Sequence, residues 1–113
     1  MVVNEKRLQA QIERALLARW PSSWVFHPVG GPFQMVGVPD LVMCVDGFFI
    51  ALEIKHQKPG ESELHARERT TLVQRNQIRK INAAGGVART VISAEEAIAV
   101  VTQAIVKHRE KAS

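Results

Sequence analysis

The chain has 113 residues, which is enough for one domain with a modest core and too few for two. Because 46% of the residues are hydrophobic, the composition indicates a folded domain and argues against an intrinsically disordered chain. The longest apolar stretches fall far short of a membrane span, and the charged residues Glu5, Lys6 and Arg7 come too early for a signal peptide.

Cys44 is the single cysteine, so an internal disulfide and a thiolate metal site are both excluded. It lies in an apolar segment, and we expect a buried, unreactive thiol. This cysteine usage is typical of a reducing cytosol.

The first predicted helix runs from about residue 4 to about residue 19, with Asn4 as its N-cap and Trp20-Pro21 after its end. Its apolar positions recur at helical spacing: Leu8, Ile12 and Leu16.

Glu5 lies in line with this apolar stripe, whereas Glu13 lies well off it. A carboxylate on the core-facing side of a helix needs a polar partner, and a metal site is one candidate for Glu5. The alternative is that Glu5 only favours the helix N-terminus electrostatically.

Residues 24–27 are aromatic or β-branched and predict a short first strand. A loop rich in glycine and proline follows, from Pro28 to Gly37, and it leads directly to Asp40. His27 precedes this loop and is either a general acid or phosphate contact or, as is more common, an ordinary hydrogen-bonding histidine.

The segment from about residue 38 to residue 55 predicts a β-hairpin. Two short apolar runs, Leu41–Val45 and Phe48–Ile54, are separated by Asp46-Gly47, a strong signal for a two-residue hairpin turn. Because side chains alternate along a strand, Glu53 and Lys55 point to the same face.

A hairpin places the start of one strand opposite the end of the other, so Asp40 should meet Glu53 and Lys55 at one end of the sheet. Two adjacent carboxylates repel each other unless a cation intervenes, and Mg²⁺ is commonly held by one or two carboxylates with water and phosphate oxygens. The alternative is a plain salt bridge from Lys55 to Glu53 or Asp40.

The net charge of +4 is concentrated after this hairpin. Residues 55–80 contain seven Lys or Arg and three Glu, so this segment carries the whole net charge. A basic segment next to an acidic motif suits a protein that holds a polyanion, although a solvated loop and helix face would have the same composition. The candidate residues for contact with a polyanion such as DNA are Lys58, Arg67, Arg69, Arg75, Arg79 and Lys80.

Within this segment, a short helical piece is expected around residues 63–69, and a longer helix at residues 71–84 is ended by Gly85-Gly86. Gln74 lies on the inner face of the longer helix, where a polar partner at the sheet end is expected. Gln77 is the alternative for that role, and a glutamine satisfied by backbone groups is the other alternative.

Residues 87–92 predict a fourth strand. Ser93 and Glu96 then predict a capped start for the last helix, which spans about residues 94–109. The expected order is therefore α-β-β-β-α-β-α, which indicates an α/β class domain with a small mixed β-sheet flanked by helices over residues 1–113.

These residues also resemble a known family. Pro39-Asp40 followed by Glu53-Ile54-Lys55 resembles the Pro-Asp…(Asp/Glu)-x-Lys motif of restriction-endonuclease-like nucleases. The fuller set, with Gln74 and Gly85-Gly86, is similar to the virus-type replication-repair nuclease (VRR-NUC) domain over about residues 5–96.

The resemblance implies a restriction-endonuclease-like fold and a Mg²⁺- or Mn²⁺-dependent DNA endonuclease. The expected catalytic residues are Asp40, Glu53, Lys55 and Gln74. The expected metal ligands are Glu5, Asp40, Glu53 and the backbone carbonyl of Ile54. The alternatives are a non-catalytic nucleic-acid-binding module of the same fold, an RNA-processing nuclease, or a monomeric flap or nicking nuclease.

The resemblance also favours a homodimer that cuts branched DNA such as four-way junctions, in repair, recombination or phage replication. One small domain supplies one active site, and a two-fold dimer is the simplest way to supply two. The apolar residues available for self-association near the loop are Trp20, Trp24, Phe33 and Met35. We expect a cytoplasmic protein of a bacterial or phage-infected cell, with no membrane partner.

Overall fold

The computed structural model describes residues 4–30 and 35–112, and Phe33 of the expected self-association set lies outside them. The helices and strands follow in the order α1 (Glu5–Arg19), β1 (Trp24–Phe26), β2 (Leu41–Val45), β3 (Phe48–Ile54), α2 (Glu63–Glu68), α3 (Leu72–Ala83), β4 (Val87–Val91) and α4 (Ala94–Ala112). The predicted α/β class is confirmed, with α2 as the expected short helical piece. The last helix continues past its predicted end near residue 109. Among the described residues, no helix is both long and apolar enough to span a membrane.

The four strands form one mixed sheet, as the sequence predicts, and their order in the sheet is β1-β2-β3-β4. The first two pairings are antiparallel, and β3 and β4 are parallel. Asp46 and Gly47 both have positive φ, 51° and 76°, which is the geometry of a type I′ hairpin turn. This turn fixes the register of the hairpin, in which Leu41 faces Leu52.

The main core lies on the sheet face that α1 and α4 cover. The buried stripe of α1, Leu8, Ile12 and Leu16, packs there as predicted. Alternate side chains of β3 point into the same core and end at the fully buried Ile54. The opposite strand positions, including Glu53 and Lys55, therefore face the other side of the sheet.

On that other side, α3 packs over a smaller cluster that is built largely from small side chains. Ala51 and Ala88 are buried beneath Ile78 and Ile81 of α3. Gly86 also lies close, because a Cβ there would come within 3.0 Å of the carbonyl oxygen of Phe49. Small residues therefore let α3 approach the sheet closely at its middle and at the end where Phe49 lies.

The rest of this face is open and aromatic. Trp24 is 60% exposed, Phe26 48% and Phe49 44%, and the rings of Trp24 and Phe26 stack at 5.6 Å. Cys44, the register partner of Trp24, is exposed, so the expectation of a buried thiol was wrong. The reason is strand alternation, because Met43 and Val45 face the main core and Cys44 faces the open side. We call Trp24, Phe26 and Phe49 the aromatic face.

Gly37 fixes the approach of the segment that leads into Asp40. Its φ is +78°, and a Cβ there would come within 2.6 Å of Val73 Cγ1 and 2.7 Å of the Val73 carbonyl oxygen. The side-chain amide of Gln77 donates to the carbonyl oxygen of Val36 at 3.1 Å. The segment is therefore docked on the first turns of α3, and only glycine fits at position 37.

We predict that Gly37→Ala lowers the free energy of unfolding by roughly 1–3 kcal/mol, because it adds both left-handed strain and a clash with backbone. Gly30→Ala is the matched control, since a Cβ there meets no atom of the described residues within 4 Å. Urea unfolding of the two variants checks this. Equal stabilities would show that the segment is not held against α3.

Candidate active site

Two carboxylates meet at the end of the central hairpin. Asp40 directly precedes β2, and the hairpin register places it opposite Glu53 on β3. Asp40 Oδ2 accepts a hydrogen bond of 2.8 Å from the backbone N–H of Ile54, which ties the start of one strand to the end of the other. Glu53 is buried, with 1% of its surface exposed.

Lys55 lies beside this pair on the same face of β3. Its Nζ is 3.7 Å from Glu53 Oε1, and the residue is 8% exposed. Its backbone N–H donates to the carbonyl oxygen of Val91, so the strand stays paired with β4 up to this point. The salt bridge between Lys55 and Glu53, considered above as an alternative, is therefore present. It uses only one of the two oxygens of the Glu53 carboxylate.

Gln74 reaches the same oxygen from the start of α3. Its Oε1 accepts from the backbone N–H of Thr71 at 2.9 Å, while the Thr71 hydroxyl accepts from the backbone N–H of Gln74. This capping box fixes the amide, and its Nε2 donates to Glu53 Oε1 at 3.1 Å. Gln77, the alternative, is occupied with Val36, so Gln74 is the glutamine that contacts the site.

The second oxygen of Glu53 is in a different environment from the first. Glu53 Oε2 is buried and makes no hydrogen bond within the described part of the chain. Burial, together with the neighbouring Asp40 carboxyl, raises the pKa of Glu53 to about 8, and the nearby charge of Lys55 only partly opposes this shift. A buried oxygen that lacks a donor and lies next to a second carboxylate is suited to bind a cation.

The donors at this end of the sheet fit a hard divalent cation. In an extended residue the N–H and C=O point to the same side, so the Ile54 carbonyl points to the side where its N–H meets Asp40. Two carboxylates and one carbonyl leave positions for water and phosphate oxygens, as Mg²⁺ and Mn²⁺ prefer.

Glu5 has a different environment from these two carboxylates. Its Oε1 is 3.2 Å from Arg69 Nη1 and 3.5 Å from the backbone N–H of His56. Within residues 4–30 and 35–112 there is no group of three or more His, Cys, Asp or Glu side chains placed to hold a metal. Glu5 is near enough to raise the pKa of Glu53, but its role as a metal ligand stays a prediction.

The basic residues after the hairpin divide into two sets. Arg69 is engaged internally, because it bonds to both Glu5 and Glu61 and donates to the carbonyl oxygen of His56. Its hydrogen bonds, with the backbone N–H of Lys58, lower the pKa of Glu61 to about 2. Arg69 thus fixes the connection between β3 and α2.

Arg67 also has internal partners, since its Nη2 is 2.6 Å from Glu96 and its Nη1 donates to the carbonyl oxygen of Thr90. The exposed set lies on α3 and on the loop after β3. Its members are Lys58, Arg75, Arg79 and Lys80.

A histidine bridge that sequence reasoning missed supports Asp40. His27 Nδ1 is 3.1 Å from the backbone carbonyl oxygen of Asp40, and His27 Nε2 is 2.5 Å from Glu13 Oε2. Of the two alternatives for His27, the structure therefore shows the more common one, an ordinary hydrogen-bonding histidine. Glu13 was set aside because it lies off the core-facing stripe of α1, and no local sequence signal links it to residue 40.

Comparison with solved structures finds the same fold elsewhere. A structure described as a "VRR_NUC domain protein" is 19% identical, with a TM-score of 0.66, covering 93% of this chain and 90% of that chain. Another, described as "VRR_NUC domain", is 14% identical, with a TM-score of 0.56, covering 88% of this chain and 97% of that one. No protein-family model and no curated protein matches the chain. The VRR-NUC resemblance is thus confirmed at the level of the fold.

We predict that ionisation of Glu53 destabilises the metal-free protein. A carboxyl group whose pKa is higher in the folded protein than in the unfolded chain makes the folded state less stable as the pH rises between these two pKa values. For Glu53 the range is from 4.5 to about 8. Glu53→Gln cannot ionise, so in EDTA its free energy of unfolding relative to wild type should increase across this range.

Denaturant unfolding at about pH 5 and about pH 9 measures the difference. Glu95→Gln, an exposed carboxylate on α4, is the control and should follow wild type. If the free energies of unfolding of Glu53→Gln and wild type differ by the same amount at both pH values, the raised pKa of Glu53 is contradicted.

Proposed function

We propose that this chain is a divalent-metal-dependent nuclease that hydrolyses phosphodiester bonds in DNA. The observation that carries the proposal is the buried Oε2 of Glu53 beside Asp40, which has no hydrogen-bond partner among residues 4–30 and 35–112, with Lys55 and Gln74 on the other oxygen. The likeness of the fold to VRR-NUC domains supports the same conclusion.

Asp40, Glu53 and the Ile54 carbonyl would hold Mg²⁺ or Mn²⁺ in this proposal, with Glu5 as a further candidate ligand. The chemistry that such an ion supplies is activation of a water and neutralisation of charge on the phosphodiester. Asp40 is held by the Ile54 N–H, and Glu53 by Lys55 and Gln74, so the two carboxylates are fixed before substrate binds.

Lys55 and Gln74 would act on the reacting groups. In the hydrolysis, a water loses a proton as its oxygen forms a bond to phosphorus, the bond to the leaving oxygen breaks, and the leaving oxygen takes up a proton. The Lys55 ammonium would stabilise negative charge that develops on the phosphate. The Gln74 amide, which its capping box fixes, would orient the attacking water.

A non-catalytic binding module of the same fold is the second candidate. A binding module needs exposed cations and gains nothing from a buried carboxylate pair that costs stability. The retention of that pair with Lys55 and Gln74 therefore favours catalysis.

We predict that Asp40→Asn and Glu53→Gln each lower the rate of DNA cleavage at least about a hundredfold, because even loss of a residue that only supports a metal ligand costs 10–100-fold. Lys55→Ala should cut poorly and still bind DNA, since the exposed cations are unchanged. Glu95→Gln is the control and should cut at the wild-type rate.

Rates with Mn²⁺ on labelled DNA, and on RNA of the same sequence, decide both the site and the substrate. Near wild-type cleavage by both carboxylate variants would show that the site is wrongly assigned.

The finer proposal is a cytoplasmic homodimer that prefers branched DNA such as four-way junctions. Of the residues considered for self-association, Trp24 and Met35 are exposed by 60% and 67%, whereas Trp20 packs against the main core. The aromatic face includes two residues of the edge strand β1, and exposed apolar groups at a sheet edge suit association with a second copy. Two copies would supply two cutting sites.

We expect light scattering to give a dimer mass, and Trp24→Glu to give a monomer that cuts linear and four-way DNA equally. Leu64→Glu is the matched control, because Leu64 is 66% exposed on α2, away from the aromatic face. A wild-type monomer that cuts both DNAs equally would refute the dimer and the substrate preference while leaving the nuclease proposal standing.

A further inference from the structure

A groove of about 440 Å³ lies between α3 and β4, and its lining includes neighbours of the candidate active-site residues. One wall is formed by Arg75, which follows Gln74, and another by Thr90, the register partner of Glu53. The groove therefore adjoins the candidate active site, because its lining includes a residue next to Gln74 along the chain and a residue next to Glu53 across the sheet. Its volume falls within the range of roughly 300–1,000 Å³ that is usual for pockets holding small organic ligands.

The charges around this groove favour an anion. Its lining contains three arginines and no carboxylate: Arg67, Arg75 and Arg79. Arg75 and Arg79 are four residues apart on α3, where like charges destabilise a helix, and α3 has no Asp or Glu to compensate them. Arg75 donates one bond to the carbonyl oxygen of Glu68 and Arg79 one to Asn76, so each guanidinium keeps other donors for a phosphate.

Arg67 has a different role in the same groove. Its two terminal nitrogens are engaged by Glu96 and by the carbonyl oxygen of Thr90, which holds the guanidinium in place. A guanidinium whose donors are used still offers a flat face, and nucleobases stack on such faces. Fixing the side chain in advance removes part of the entropy cost of that contact.

The other residues of the lining are suited to apolar contact with a base, because their polar groups already bond within the protein and are not available to recognise the edge of a base. The hydroxyls of Thr70 and Thr90 bond to each other at 2.9 Å. The amide of Asn82 is used at both ends by the backbone of Ala88. Ile78 supplies an apolar side chain between them. A base in this groove would therefore be held with little sequence preference.

We infer that this groove binds an unpaired nucleotide next to the scissile phosphate, with its phosphate on Arg75 and Arg79 and its base against Arg67 and Ile78. The inference rests on the proposed nuclease function and names its substrate class. The bases of an intact duplex are paired and stacked inside the helix, so a duplex presents no base to a concave site. Selection for an unpaired nucleotide would direct the protein to forks and flaps, whose single-stranded arms supply one.

Fluorescence anisotropy in EDTA tests the inference without cleavage. The probes are a labelled blunt duplex and the same duplex with a short oligothymidine arm. Wild type should bind the armed duplex about tenfold more tightly, because each stacked base contributes appreciably to affinity. Arg75→Gln/Arg79→Gln should lose this preference.

The matched control is Arg7→Gln/Arg14→Gln, which removes the same charge from exposed positions on α1, across the sheet. It should weaken binding to both probes equally and keep the preference for the arm. Arg67→Lys keeps the charge but not the planar group, so it should reduce the preference and leave blunt-duplex affinity unchanged.

Equal binding of the two probes by wild type, or an arm preference that survives in Arg75→Gln/Arg79→Gln, would overturn the inference. Cleavage of the same probes with Mn²⁺ separates the two proposals. If the protein cuts the probes without any preference for the arm, the proposed nuclease function stands and the proposed role of the groove is refuted. If the protein prefers the arm but cuts no probe, the role of the groove stands and the nuclease function is refuted.

Discussion

The burial of Glu53 beside Asp40 is the constraint on which the rest of the structure depends. One oxygen of Glu53 is held by Gln74 and lies near Lys55, and the other is buried and receives no hydrogen bond from the residues that the structure describes. Such an arrangement raises the pKa of the carboxyl and costs stability unless a cation is present. The main core between the sheet and the helices α1 and α4 must therefore supply stability that this end of the sheet does not.

Three backbone features hold the two carboxylates in place. The type I′ turn at Asp46-Gly47 sets the register that puts Asp40 opposite Glu53. Gly37 allows the preceding segment to lie against α3, and the Thr71 capping box aims Gln74 at the site. Strands and a helix start position the reacting groups more precisely than loops could, as the chemistry requires.

The positive charge of the chain serves two purposes. Arg67 and Arg69 neutralise the carboxylates of Glu96, Glu61 and Glu5, and so connect elements that are distant in sequence. Arg75 and Arg79 on α3 lie on the same side of the sheet as the carboxylate pair and retain unused donors. The basic segment of residues 55–80 thus contains both arginines that form structural ion pairs and cations that are available to a polyanion.

Local patterns in the sequence determined the hairpin, the helix starts and the meeting of Asp40 with Glu53. Turn chemistry and strand alternation act over a few residues, so the residues themselves carry that information. The choice of Gln74 over Gln77, the pairing of Glu5 with Arg69, and the bridge from Glu13 through His27 to Asp40 were decided only by the tertiary structure. The exposure of Cys44 likewise depended on how much of the sheet α3 covers. Each of these contacts joins elements far apart along the chain, and their approach is set by packing, which no periodicity of a single segment can specify.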